Sequence, residues 1–220
     1  MKIAVVSVSP ADEAAIKILV DTLLAQETEL VSPLRLRPGG WPHVLTLLPS
    51  IAKALHYNTN AEGIAVVVDS DRSPVHRLGH PSDQDCHSQC RLCLLRATFR
   101  NSLATVSPIS NRRTLKTAVG LAVPAIEAWY CCGLDAHVNE ARWIGHLAGE
   151  KINFSKRSLK VDVYGSDQPT LQAETGSAIE AAQRLAQNIE QLSQLFPSGF
   201  GCFMADIRSW LNLNDAPARS

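Results

Sequence analysis

Two aspartates two residues apart, Asp69 and Asp71, close an apolar run at 64–68 in the segment Gly-Ile-Ala-Val-Val-Val-Asp-Ser-Asp-Arg. A short, mostly β-branched run of that kind reads as a fully buried strand. Side chains alternate along extended backbone, so positions i and i+2 point the same way. Both acids are therefore expected to face one spot just past the carboxyl end of a strand, where open α/β sheets put their ligands. Like charges held that close repel, and a hard divalent cation with oxygen ligands relieves the repulsion. Asp and Ser are also ordinary turn residues, so a plain Asp-Ser-Asp turn fits the segment equally well.

A third acid, Glu127, sits in Pro-Ala-Ile-Glu-Ala-Trp-Tyr, straight after a second buried run at 115–123. Flanked by apolar and aromatic residues, it is costly unless paired or metal-bound. A helix-start acid bonded to backbone amides is its structural alternative. Asp12 and Glu13 follow Ser9-Pro10-Ala11 at the start of a helical pattern, where first-turn acids complement the helix dipole without further function. The basic residues Lys151, Lys156, Arg157 and Lys160 lie in the glycine-bounded stretch 149–165. They are suited to neutralising phosphates, although such a run is ordinarily a solvated surface. Arg112, Arg113 and Lys116 have the same two readings.

Cys86, Cys90 and Cys93, with His80 and His87 nearby, raise a zinc site. Structural zinc favours a C-x2-C knuckle and a second ligand pair, and C-x3-C-x2-C has no obvious second pair. The spacing i, i+4, i+7 instead predicts one helix stripe shared with Ala97, where cysteine acts as a small apolar residue. Cys131, Cys132, Cys202 and the four tryptophans read as core. No G-x-S-x-G, P-loop or G-x-G-x-x-G occurs, which argues against hydrolase-elbow, NTPase and dinucleotide readings.

The elements that must position these groups alternate. A strand at 3–8 precedes the helix opened by Ser9 and Pro10, and a short strand-like segment at 33–37 leads to Pro38-Gly39-Gly40. A helix at 42–56 follows, which Pro49 should kink or split. The acid-tipped strand, a polar loop, a helix at 85–103, the strand at 115–123 and a helix begun by Pro124 come next. Beyond residue 135 the pattern is helical, near 139–148, 177–195 and 202–213. Such alternation predicts a mostly parallel α/β sheet covered on both faces, with a helical C-terminal elaboration. The expected organisation is one α/β domain over 1–220, its core sheet region in 1–135 and its helical part in 136–220.

Hydrophobic residues make up 45% and charged residues 19%, an ordinary globular composition that excludes a disordered chain. Basic and acidic residues balance at 21 each, so no global positive charge advertises a nucleic-acid partner. The N-terminus lacks a signal-type h-region, and Pro124 and Glu127 interrupt the longest apolar stretch. A cytoplasmic protein with reduced cysteines and no membrane association is expected.

Several segments together resemble a known family. Val5-Val6-Ser7-Val8-Ser9-Pro10-Ala11-Asp12-Glu13 is similar to the strand-to-helix opening of Toprim-fold metal nucleases, especially those related to the OLD family. Val67-Val68-Asp69-Ser70-Asp71 is similar to their D-x-D strand end. Ala125-Ile126-Glu127-Ala128-Trp129-Tyr130 resembles the E-L-E-A-W-Y segment of a bacterial Toprim-like family of unknown function, often encoded beside ATPases. Phe196, Phe200, Phe203 and Arg208 resemble that family's terminal S-F-x-x-F-x-x-x-L-R helix.

The resemblance implies a Toprim/Rossmann-like sheet and a Mg²⁺- or Mn²⁺-dependent, nuclease-type protein that cleaves phosphodiesters within an ATPase-coupled phage-defence system. Asp69, Asp71 and Glu127 are then metal ligands, and Glu127, Asp12, Lys156 and Lys160 the catalytic set. A nucleic acid (DNA or RNA) and a partner ATPase are the implied partners. One departure matters: Val8 and Ser9 stand where the fold's first-strand glutamate and glycine are expected. A valine neither ligates metal nor moves protons, which implies the alternative of a catalytically degenerate Toprim-like module that binds a partner protein or nucleic acid.

Overall fold

A computed structural model describes residues 1–31, 40–80, 84–110 and 112–212. Its centre is a four-stranded, all-parallel sheet of order β2-β1-β3-β4, formed by β1 (Lys2–Val6), β2 (Glu29–Leu30), β3 (Gly63–Asp69) and β4 (Lys116–Ala122). Ile3, Ala4, Ile64, Ala65, Val66 and Ala118 have no exposed surface, as expected of strands covered on both faces. The order reverses at β1, so the crevice between the carboxyl ends of β1 and β3 is the sheet's switch point.

Helix α1 (Pro10–Leu24) starts as its sequence dictates. The Ser9 hydroxyl accepts from the Ala11 amide at 3.3 Å, and Pro10 occupies the first turn. Helix α2 (Trp41–Asn58) is a correction, because it runs through Pro49 without splitting. Proline removes one backbone donor, but Val44, Leu48, Ile51, Ala52 and Leu55 bury a continuous stripe around it. That burial outweighs the local loss of about 3 kcal/mol or more. The segment 33–37 and Pro38-Gly39 lie outside the described residues.

Helix α3 (Arg91–Ala104) begins six residues later than the periodicity predicts, and α4 (Ile126–Tyr130) begins just after Pro124-Ala125. The C-terminal half is helical: α5 (Glu140–Leu147), α6 (Lys156–Tyr164), α7 (Leu171–Ala186), α8 (Ile189–Leu195) and α9 (Cys202–Asn212). The expected helix at 177–195 is two helices, and α6 occupies the stretch 149–165 in which no helix was expected.

These helices share the sheet's core rather than building another. Trp129, Phe200 and Phe203 pack edge and tilted on one another, and Trp210 is buried against the β3–β4 side. Gly199 is required there, because a Cβ would lie 2.2 Å from the Leu121 carbonyl oxygen. The buried Glu140 carboxylate accepts from the Ser198 and Gly199 amides at 3.1 and 2.9 Å and fixes that turn. No helix among the described residues is long and apolar enough to cross a membrane.

Candidate functional site

The carboxyl edge of the sheet gathers acids from three elements. Asp69 ends β3, Asp12 lies in the first turn of α1 after β1, and Glu127 opens α4 after β4. The chain past β3 stays bonded to the β4 side: the Ser70 amide donates to Ala122 O at 2.7 Å and the Asp71 amide to Pro124 O at 2.9 Å. Asp71 adopts φ 49°, a left-handed conformation that Asp tolerates better than most residues.

Lysines from α6 meet these acids. Lys156 Nζ donates to Asp69 Oδ2 at 2.9 Å and also to Asp71 Oδ1. One turn on, Lys160 Nζ lies 3.8 Å from Glu127 Oε1. Ser155 caps this helix through a reciprocal box with Ser158, and buried Leu159 anchors it. The i, i+4 spacing then puts both lysines on one face. The solvated-surface reading holds for Arg157, which is 82% exposed and pairs with Asp167, but not for Lys156 or Lys160, each 36% exposed.

Arg91, the first residue of α3, completes the cationic side. Its Nη1 donates to Asp69 O at 2.6 Å and Asp71 Oδ2 at 2.8 Å, and its guanidinium stacks 4.9 Å from the Trp41 ring. The sequence reading missed Arg91, because the helix predicted over 85–103 places it in mid-helix and only the later start of α3 brings it to the strand end. The remaining oxygen of Asp69 accepts from the Ile126 amide at 3.1 Å, so this carboxylate also caps the start of α4.

The electrostatics divide the acids. Burial raises the Asp69 carboxyl, with Lys156 offsetting part of the rise. Burial acts upward on Asp71 too, but hydrogen bonds from Lys156 and Arg91 hold it below the ordinary carboxylate range. Burial, then the nearby Asp69 charge, pushes Glu127 up to about 6. Asp12 is 2% exposed and its carboxyl is raised well above the ordinary value by burial. The Tyr130 hydroxyl, donating to Asp12 Oδ1 at 2.9 Å, partly counters this, and Glu127 and Asp69 reinforce it. Asp12 is therefore an inward-facing member of the rim as well as a first-turn acid. Tyr164 Oη, electrostatically close to Glu127 and Asp12, is buried without a hydrogen-bond partner among the described residues.

Lys156 supplies a fit test for a divalent cation, because one cationic atom already contacts both Asp69 and Asp71. Those two carboxylates fit a shared hard cation. Glu127 is not part of that contact and pairs with Lys160 instead. Val8, in the β1–α1 connection, packs partly buried against the hydrophobic core.

A second cluster stands at the other end of the 69–91 connection. His76, Cys86, Cys90 and Cys93 have ligand atoms all within 4.8 Å of one another and could hold a metal ion. Among the described residues no other set of three or more His, Cys, Asp or Glu does so. The soft donors suit zinc rather than magnesium or manganese. The helix-stripe expectation for the cysteines is thus corrected. Cys86 precedes α3, Cys90 is its N-cap with extended backbone, and Cys93 lies in its first turn. All three turn toward His76, in the loop that follows β3. Burial, with Arg96 and His80, holds His76 down to about 4, and burial raises the Cys90 and Cys93 thiols.

Arg112 and Lys116 have structural roles. Arg112 donates to the carbonyls of Leu55, His56 and Ala61, and Lys116 Nζ to Trp210 O at 2.7 Å. Comparison of the chain with protein-family models, curated proteins and solved structures finds no match.

Proposed function

We propose that the acid–lysine rim is a phosphodiester-engaging centre of Toprim-like, nuclease type, with Mg²⁺ or Mn²⁺ as cofactor and a nucleic acid as substrate. The observation that carries this reading is Lys156 Nζ, a single cation contacting Asp69 and Asp71 together at the carboxyl edge of a parallel sheet. Magnesium commonly uses one or two carboxylates plus substrate phosphate, which two aspartates satisfy. A divalent ion there would neutralise the aspartate pair and polarise a phosphodiester oxygen.

The chain's own groups then divide the work. Lys156, released from the aspartates, turns to the phosphate, and Lys160 stabilises charge developing on it. Glu127, with its pKa pushed up to about 6, takes or gives a proton near neutrality. Asp12 and Tyr130 hold the buried floor of the rim. Beside Asp71 a cavity of about 490 Å³ is lined by Arg72, Lys156, Arg157, His146 and Trp143, and its cationic groups suit a phosphate backbone.

The test is cleavage of single- and double-stranded DNA and RNA with Mg²⁺ or Mn²⁺. Nicking is expected, and Asp69→Asn abolishes it; cutting that persists in this variant removes the assigned role.

The second reading is a catalytically degenerate module that binds a partner ATPase or a nucleic acid. Val8 packed into the core, where the resemblance expects a glutamate, favours it. Calorimetric titration with Mn²⁺ separates the two. Uptake that requires Asp71 supports the metal-dependent reading, and the absence of heat supports the module.

A further inference from the structure

We propose that His76, Cys86, Cys90 and Cys93 bind one structural zinc ion, which fixes the start of α3 and thereby the position of Arg91 on the acid-tipped end of β3. The argument begins with distances. A tetrahedral ion with Zn–S of about 2.3 Å and Zn–N of about 2.0–2.1 Å separates sulfur from nitrogen by about 3.6 Å and sulfur from sulfur by about 3.8 Å. His76 Nδ1 lies 3.6 Å from Cys86 Sγ, 3.6 Å from Cys90 Sγ and 3.4 Å from Cys93 Sγ. The Cys93 and Cys86 sulfurs are 3.7 Å apart, far longer than a disulfide and equal to a ligand–ligand edge. Four edges of one tetrahedron therefore have coordination lengths.

The donor set argues the same way. Three thiols and an imidazole are soft to borderline ligands, and four protein ligands make a closed, structural site rather than an open, catalytic one. His80 Nε2, 3.8 Å from Cys93 Sγ, and Arg96, on α3, stand around the ligands as outer partners. Arg96 is itself held by Asp206 of α9 at 2.8 Å, which ties the cluster to the C-terminal helix.

The consequence for the rim follows from chain connectivity. His76 lies five residues beyond Asp71, and Cys90 immediately precedes Arg91. An ion bridging them closes the connection at both ends and holds the α3 start within reach of β3. Arg91 then reaches Asp69 O and Asp71 Oδ2 without ordering a free loop end. This role is independent of whether the rim performs chemistry.

The intact chain, purified with Zn²⁺ and without chelator, is expected to carry one zinc per molecule by elemental analysis. Replacement with Co²⁺ should give an intense thiolate-to-cobalt charge-transfer band and tetrahedral d–d bands. Cys90→Ser and Cys93→Ser should each weaken zinc binding by more than the roughly 10–100-fold typical of losing an outer-shell partner. Cys132→Ala, away from the cluster, should leave the stoichiometry at one. Chelation should also speed tryptic cleavage after Arg77 and Arg91. Sub-stoichiometric zinc in the wild-type chain, or weak octahedral cobalt bands, overturns the proposal, and so does cobalt coordination unchanged in both Cys90→Ser and Cys93→Ser. The wild-type measurements decide alone should the variants misfold.

Discussion

The carboxyl edge of the sheet and the start of α3 meet the same problem, polar groups drawn close together, with opposite chemistry. At the sheet edge, hard carboxylates from β3, α1 and α4 concentrate negative charge, and the protein supplies its own cations, Lys156, Lys160 and Arg91. At the α3 start the donors are three thiols, neutral when protonated, and one imidazole, neutral when not; no lysine or arginine enters the ligand set, and all four atoms lie within 4.8 Å of one another. The first arrangement is adjustable, because a half-exposed lysine can exchange with another cation. The second is closed, because all four positions of a tetrahedron are protein atoms.

The comparison is broken most sharply by removing metal. With zinc at about a thousand times its Kd, a bound ion stabilises the folded chain by about 4 kcal/mol. Chelation should therefore lower Tm by roughly 8–16 °C for a domain of this size. A melting curve indifferent to chelator would equate the two regions.

Exchange of the rim's cation is the next test. Lys156→Met leaves Asp69 and Asp71 without their shared cation and should cost about 2 kcal/mol, a buried-pair loss discounted for the partial exposure of Lys156. Millimolar Mn²⁺ should restore most of it, as read by denaturant midpoints with and without the ion. Destabilisation that Mn²⁺ leaves untouched would mean that the aspartates serve only their lysine.

Glu127 sets the pH dependence. Its folded pKa of about 6 stands above the ordinary 4.5, so between those values the native state binds more protons than the unfolded state. Its contribution to stability is fully present below pH 4.5 and falls by about 2 kcal/mol as pH rises through about 6. Glu127→Gln should flatten that slope in denaturant titrations at pH 4.5 and 7. The smallest effect belongs to Arg157, adjacent to Lys156 but turned to solvent. Arg157→Ala should change stability by no more than about 0.5 kcal/mol, which makes it the control for Lys156→Met.

Legibility followed the range of the interactions. The strands β3 and β4 stood out as apolar runs, and α1 was announced by Ser9, Pro10 and the acids behind them. Helix α6 was overlooked because it buries only Leu159 and carries three basic residues, so its period was masked by charge. Its capping pair, Ser155 and Ser158, was the readable signal. The cysteine spacing fitted a helix stripe, yet the helix starts at Arg91, which leaves Cys86 and the extended Cys90 free to turn toward His76. Pro49 weighed too heavily in the sequence reading, because propensity is local and the buried stripe around it is not.

The amino-acid order alone determined the alternating α/β architecture, the helical C-terminal region and the position of Asp69, Asp71 and Glu127 just past buried strands. Those features arise from short-range periodicity and capping, which any local window contains. Only the tertiary structure decided that Lys156 stands between two aspartates, that Tyr130 bonds Asp12, and that His76 joins three thiols. Such contacts bring together residues from distant parts of the chain, and their distances are fixed by how helices seat on the sheet, a property no linear spacing encodes.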